Sequence, residues 1–235
     1  MTNSLRLNNQ NQNSLRVWEL LGAGGGGESN NTVSISLSAK RSDGTNFPTG
    51  VYEKGISYDN VVFSMKVTPL KAAEFPVTSA SMYRDGTVVQ TFTPSSSATT
   101  YTYTANVNAT TTFRGEAKTS KQTASSQLKY TFVNPMFYGA CTTTPTADEI
   151  VTLQKLIKAK GKVTCNYTTT SRVCFCYPKE YGVLTSILDD MKLEYINAFA
   201  LTEATLSLYG EDVVYNVYTT IDESIIDDFN YTFIY

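Results

Sequence analysis

The chain has 235 residues, carries a formal net charge of −2 and contains no histidine. Charged residues make up 17% of it, below the roughly 25% that is usual for soluble domains. Because nucleic-acid binding needs a basic surface that neutralises phosphates, we expect no nucleic-acid partner. The missing histidine excludes serine or cysteine catalysis with a histidine base. No apolar stretch reaches the roughly 20 residues that span a bilayer, so we expect no membrane insertion.

Residues 1–30 are predicted to form an extended N-terminal arm that ends in a glycine linker. Residues 8–13 (NNQNQN) are too polar to fold alone, and Gly24–Gly27 is a tetraglycine tether. A short apolar peptide with the only tryptophan lies between them. We predict that it docks into a neighbouring subunit; the alternative is that it folds back on its own domain. The predicted docking residues are Leu15, Val17, Trp18 and Leu20.

Residues 31–134 are predicted to form an immunoglobulin-like β-sandwich. Alternating apolar side chains recur in short segments about ten residues apart, and Asp85-Gly86 marks a hairpin turn. The Cys…Trp…Cys core of true immunoglobulin domains is absent. The predicted strands are Thr32–Leu37, Val61–Val67, the hairpin Ser79–Phe92, Tyr101–Val107, Thr111–Ala117 and Leu128–Phe132.

Residues 135–235 are predicted to form a small β-rich domain with one α-helix at 147–160. Thr146 and Glu149 form a capping box, and Ile150 begins an apolar stripe of helical period. Gly161 is the expected end of the helix. The fold class is therefore mainly β, with two β domains and an arm. The predicted strands are Lys162–Tyr167, Arg172–Tyr177, Tyr195–Phe199, Val213–Tyr218 and Tyr231–Tyr235.

One motif, F-x-x-P-x-x-Y-G, occurs twice in the chain. Proline fixes φ and removes an amide donor, and glycine permits the positive φ of a sharp turn. We therefore predict a repeated structural corner rather than a catalytic loop. The motif residues are Phe132, Pro135, Tyr138 and Gly139, and later Phe175, Pro178, Tyr181 and Gly182.

The remaining candidates for chemistry are cysteines, acid pairs and tyrosines. The cysteines are predicted to be reduced core thiols, with a four-thiolate zinc site as the alternative, and we expect no cofactor. The acid pairs are predicted to cap turns, with a carboxylate glycosidase site or a Ca²⁺ site as alternatives. The tyrosines are predicted to pack across strands, with exposed sugar-binding platforms as the alternative. These residues are Cys141, Cys165, Cys174 and Cys176, the pairs Asp189-Asp190, Asp222-Glu223 and Asp227-Asp228, and notably Tyr101, Tyr103 and Tyr215.

Several short segments resemble immunoglobulin-like bacteriophage tail and fibre proteins and the domain that follows in them. They are residues 51–55 (VYEKG), 130–139 (YTFVNPMFYG), 175–182 (FCYPKEYG), 184–187 (LTSI) and 215–218 (YNVY). The chain departs from that family at residues 189–194, which replace a glycine-rich segment.

The resemblance implies a non-enzymatic virion structural protein of the tail, fibre or baseplate. Such a protein would be assembled in the bacterial cytoplasm and anchored by its arm. Its expected partners are other virion subunits and further copies of itself, because closed symmetry is usual in such assemblies. A host surface glycan or protein is the further partner in host attachment. The alternative function is a host-glycan-binding adhesin that uses exposed tyrosines.

Overall fold

The computed structural model describes residues 31–169, 171–222 and 226–235. These residues form sixteen strands, one α-helix of about one turn and two short 3-10 helices. The prediction of a mainly β chain is therefore confirmed. The arm residues that we predict to dock, Leu15, Val17, Trp18 and Leu20, lie outside the described residues.

The first eight strands form two facing sheets. They are β1 (Val33–Lys40), β2 (Gly50–Glu53), β3 (Tyr58–Pro69), β4 (Ser79–Arg84), β5 (Thr87–Phe92), β6 (Thr99–Val107), β7 (Thr111–Lys118) and β8 (Thr123–Val133). One sheet has the order β1-β3-β6, and the other has the order β2-β8-β7-β4-β5. Their pairs are antiparallel except for β2 and β8, which run parallel.

Strand β3 shows how alternation builds the core of this first sandwich. Val61, Phe63, Met65 and Val67 point inward, and each is at most 2% exposed. Burying such a side chain contributes about 1.5–3 kcal/mol. The ring of Phe63 stacks on Phe113 with centroids 3.9 Å apart, which ties the two sheets together.

The remaining elements form a second sandwich. They are β9 (Met136–Cys141), α1 (Ala147–Ile150), β10 (Gln154–Leu156), β11 (Val163–Thr169), β12 (Arg172–Pro178), β13 (Ser186–Leu188), β14 (Phe199–Leu208), β15 (Glu211–Thr220) and β16 (Ile226–Ile234). The 3-10 helices are Lys179–Tyr181 and Ile196–Ala198. The larger sheet has the order β10-β9-β12-β15-β14, and the smaller has the order β11-β16-β13.

The central strand of the larger sheet, β12, is buried on both faces. Phe175 and Tyr177 of β12 pack toward the smaller sheet. Cys174 and Cys176 face the other way and pack with Ile150 of α1. Both sulfurs of this strand therefore lie on one face, as the period of a strand requires.

The predicted helix at 147–160 is wrong in its length. The capping box is present, because Glu149 accepts from the Thr146 amide at 2.7 Å and Thr146 caps Glu149 in return. The helix nevertheless ends at Ile150, and the chain then forms β10 along the edge of β9. Pairing with that open edge overrides the helical period of the local sequence. No helix in the described part of the chain is long and apolar enough to cross a membrane.

The predicted strand Tyr195–Phe199 is also wrong, because Ile196–Ala198 is a 3-10 helix and β14 begins at Phe199. The Glu194 carboxylate accepts hydrogen bonds from the amides of Tyr195 and Ile196 at 3.1 and 2.9 Å. The Tyr195 amide also donates to the Ile187 carbonyl at 2.7 Å, so backbone pairing reaches this residue. The bond from the Ile196 amide favours a turn from there on, since it occupies an amide that further strand pairing would need.

Candidate functional site

The later of the two F-x-x-P-x-x-Y-G motifs forms a sharp corner at the end of β12. Pro178 is the last residue of the strand, Lys179–Tyr181 is a 3-10 helix, and Gly182 has φ +84°. The Gly182 carbonyl accepts hydrogen bonds from Tyr177 Oη and Asn216 Nδ2, both at 2.9 Å. Two buried donors therefore hold the corner in place.

The earlier motif has a different conformation, which corrects the expectation of a repeated corner. Tyr138 and Gly139 lie inside β9, in extended backbone, and Tyr138 pairs with Phe175 of the later motif. A Cβ at Gly139 would lie 3.1 Å from Leu153 Cδ2, so close approach rather than a positive φ favours glycine here. Phe132 packs against the first core, whereas Phe175 belongs to the second.

Instead, the earlier motif supplies the junction between the two sandwiches. Asn134 and Pro135 alone separate β8 from β9, and both are buried. The fully buried Tyr215 donates a hydrogen bond from its hydroxyl to the Pro135 carbonyl at 2.7 Å. The chain thus passes from one sandwich to the other without an exposed linker.

Charged side chains make a second set of contacts across the junction. Glu53 at the end of β2 accepts hydrogen bonds from Lys155 Nζ at 2.7 Å and from Tyr209 Oη. Burial raises the pKa of the Glu53 carboxyl, but these two donors outweigh it and hold the pKa below its usual value. Lys54 and Glu211 form a more exposed ion pair at 2.5 Å. The charged groups of the two sandwiches are therefore complementary here.

A close backbone contact completes the junction. Gly55 has φ +84°, and a Cβ at this position would lie 2.3 Å from Cδ1 of the Tyr209 ring. Tyr209 itself has φ +54°, in the left-handed region that side chains rarely adopt. Sequence reasoning missed this pair. The available signals were the glycine in VYEKG and the Tyr209-Gly210 turn, but neither signal identifies its partner.

Of the acid-pair residues whose side chains the structure describes, Asp189 caps a turn as predicted, whereas Asp190 bonds to a distant strand. Asp189 Oδ1 accepts from the Leu193 amide at 2.9 Å, and Asp190 accepts from the backbone and side-chain nitrogens of Asn230 at 3.2 Å. Asp222 is exposed. Its partner and the third pair lie outside the described side chains. Within the described residues, no group of three or more cysteines and carboxylates is arranged to hold a metal ion.

The four cysteines are free thiols, three of them buried and Cys141 half-buried. A hydrogen bond with Cys174 and then burial raise the pKa of Cys141. Burial raises the pKa of Cys165 to about 12. Cys141 and Cys165 are therefore protonated near neutral pH and weak nucleophiles.

The tyrosines are mainly packed rather than presented to solvent. All sixteen lie within the described residues, and Tyr209 alone is exposed. Tyr101 stacks on Phe92 at 4.8 Å and donates to the Thr93 carbonyl at 2.9 Å. The described surface therefore has no cluster of exposed tyrosines of the kind that the adhesin alternative requires.

Comparison with known proteins gives no relative from which a role can be transferred. No family model matches the chain, and no curated protein and no solved structure is significantly similar to it. The junction is the candidate functional site on geometric grounds, because its groups join one sandwich to the other.

Proposed function

We propose that this chain is a non-enzymatic structural protein of a bacteriophage virion, part of the tail, fibre or baseplate. The two sandwiches act as a stiff spacer, and the arm anchors the spacer to neighbouring subunits. The observation that supports this most is the buried junction, in which Pro135 is held by Tyr215 and Gly55 receives the Tyr209 ring.

Stiffness at the junction is unusual, because relative motion is the default for domains joined in one chain. The exposed Lys54–Glu211 pair adds little, since surface ion pairs contribute about 0–1 kcal/mol. The buried Tyr215 hydrogen bond matters more, because breaking it leaves a buried carbonyl unpaired at a cost of about 1–3 kcal/mol. A spacer of this kind suits a virion part, in which each subunit must hold its neighbours at a fixed angle. Affinity then comes from repeated contacts rather than from one deep pocket.

Purified virions of the phage that encodes the chain provide the test. Mass spectrometry should detect the chain in gradient-purified particles, and immunogold labelling with an antibody against the sandwiches should mark the tail, fibre or baseplate. Detection in the infected-cell lysate but not in the particles would refute the proposal. An abundant non-structural protein of the same phage serves as the carry-over control.

A further inference from the structure

A small cavity in the second sandwich has the chemistry of a docking site for a side chain. Its volume is about 150 Å³, which accommodates one aromatic ring. Rings of one strand, β16, and of a loop line it, with the Phe229 and Tyr231 centroids 4.9 Å apart and the Tyr195 centroid 5.6 Å from that of Tyr231. Asp189 and Asp190 complete the lining. The cavity therefore offers an apolar floor with negative charge at its side.

The rim of the cavity is exposed and apolar. Met191, which also lines the cavity, is 77% exposed, and Leu193 is 52% exposed. The loop Asp189–Glu194 contains three carboxylates and one lysine. Neither Asp189 nor Asp190 forms a salt bridge with a described residue. A partner that combines an aromatic side chain with a cation would complement this surface.

We propose that this cavity receives Trp18 from the N-terminal arm of a second copy of the chain, with Arg16 placed against Asp190. Arg16 and Trp18 alternate in sequence, so an extended backbone puts both on one face. The indole ring fills the apolar cavity, and the guanidinium meets the carboxylates. This inference rests on the proposed function, in which the arm anchors the spacer, and it names the surface that receives the arm.

The point at which the described chain begins favours a second copy over the same chain. The described chain begins next to the β7–β8 turn, because the Thr32 amide donates to Gln122 Oε1 at 2.7 Å. Strand β8 then covers ten residue steps, about 33 Å, before it reaches the junction. The cavity lies beyond the junction, in the second sandwich.

Thirteen residue steps separate Trp18 from Asn31, and they span at most about 43–47 Å when fully extended. Docking into the same chain would require this segment to run nearly straight along the whole first sandwich. Docking into a neighbour requires no such extension.

The arm and the cavity are different surfaces of the chain. Two copies that exchange arms form a closed dimer, and copies that each pass the arm to the next one form a ring or an open filament. Each of these products has a mass that is a whole multiple of one subunit.

The experiment uses the full chain and its sole tryptophan as the probe. Light scattering gives the mass and tryptophan emission gives the burial of Trp18, both over a range of protein concentrations. We expect the mass to rise and the emission to shift to the blue together. Arg16→Glu and Asp190→Lys should each raise the concentration for half-assembly about tenfold or more, because each places like charges in contact.

The decisive experiment reverses the charge on both sides of the contact. The double variant Arg16→Glu, Asp190→Lys should assemble within about threefold of the unaltered chain, because the pair is restored with opposite signs. An equimolar mixture of the two single variants should assemble as well. Asp59→Lys makes the same charge change at an exposed position of the first sandwich and should have no effect. Circular dichroism and thermal unfolding check that Asp190→Lys is folded.

Three outcomes would overturn the proposal. They are a monomer at every concentration, a blue shift that does not depend on concentration, and an Asp190→Lys variant that assembles like the unaltered chain. The second outcome would place Trp18 in the same chain. Detection of the chain in virions together with any of these outcomes would retain the structural function and reject only this cavity.

Discussion

Gly55→Ala tests whether the Tyr209 ring holds the two sandwiches together. Gly55 has φ +84°, where an alanine costs about 1–2 kcal/mol in backbone strain. The new Cβ would also lie 2.3 Å from Tyr209 Cδ1, so the ring must leave its place and lose the hydrogen bond to Glu53. That loss adds about 0.5–1.5 kcal/mol, before any packing is counted. We expect a total of about 2–4 kcal/mol, measured by urea unfolding.

Gly44→Ala is the matched control, because Gly44 has the same φ of +84° but nothing within 4 Å of its Cβ position. Gly44→Ala should therefore lower the free energy of unfolding by the backbone strain alone. In a Tyr209→Gly background the cost of Gly55→Ala should fall to that of Gly44→Ala, since this background removes both the ring and the Tyr209 Cβ, which would lie 2.9 Å from the new Cβ. Small-angle scattering should show a broader range of inter-sandwich distances for Gly55→Ala only. Equal unfolding free energies for the two single variants would refute the role of the ring.

Three further predictions concern the junction and the thiols. Tyr215→Phe should destabilise the chain by about 1–3 kcal/mol because the buried Pro135 carbonyl loses its donor, while Tyr101→Phe, whose bond is exposed, should cost less. In the folded protein at pH 8, Cys141 should be the one thiol that reacts with a thiol reagent, and it should react slowly. In urea all four thiols should become accessible and react. Because the pKa of Glu53 is lowered, its carboxylate stabilises the fold above the ordinary pKa of 4.5, and this stabilisation is lost as the pH falls through the pKa of the folded state. Glu53→Gln should therefore lose less stability on acidification than the unaltered chain.

Period-two alternation was the reliable signal in this sequence. It predicted which residues of β3 point inward, and it placed Cys174 and Cys176 on one face of β12. The Asp85-Gly86 turn joins β4 and β5 as expected. These features are local, because the strand period and the turn chemistry are contained in a few adjacent residues.

Features that depend on distant partners were not predictable. The sequence after Thr146 has the cap and the apolar period of a helix, yet β10 forms because β9 offers an open edge. The similarity of the two F-x-x-P-x-x-Y-G motifs led to the wrong prediction of a repeated corner. Gly182 needs a positive φ, whereas Gly139 needs only room for the Leu153 side chain. In the same way, no local pattern links Gly55 to Tyr209, which follows it by more than 150 residues in the chain.

In the proposed function, a stiff junction and an arm contact passed from one copy to the next would reinforce each other. In a heterologous assembly each subunit sets the direction of the next, so an angular error at one junction is carried to every subunit beyond it. An exposed linker in place of Asn134 and Pro135 would let these errors accumulate until the ends of a filament lost all correlation in direction. A buried linker, held by Tyr215 and supported by Gly55 and Tyr209, keeps each error small. In the proposed assembly, the contacts between the two sandwiches would therefore decide whether a chain of subunits is straight.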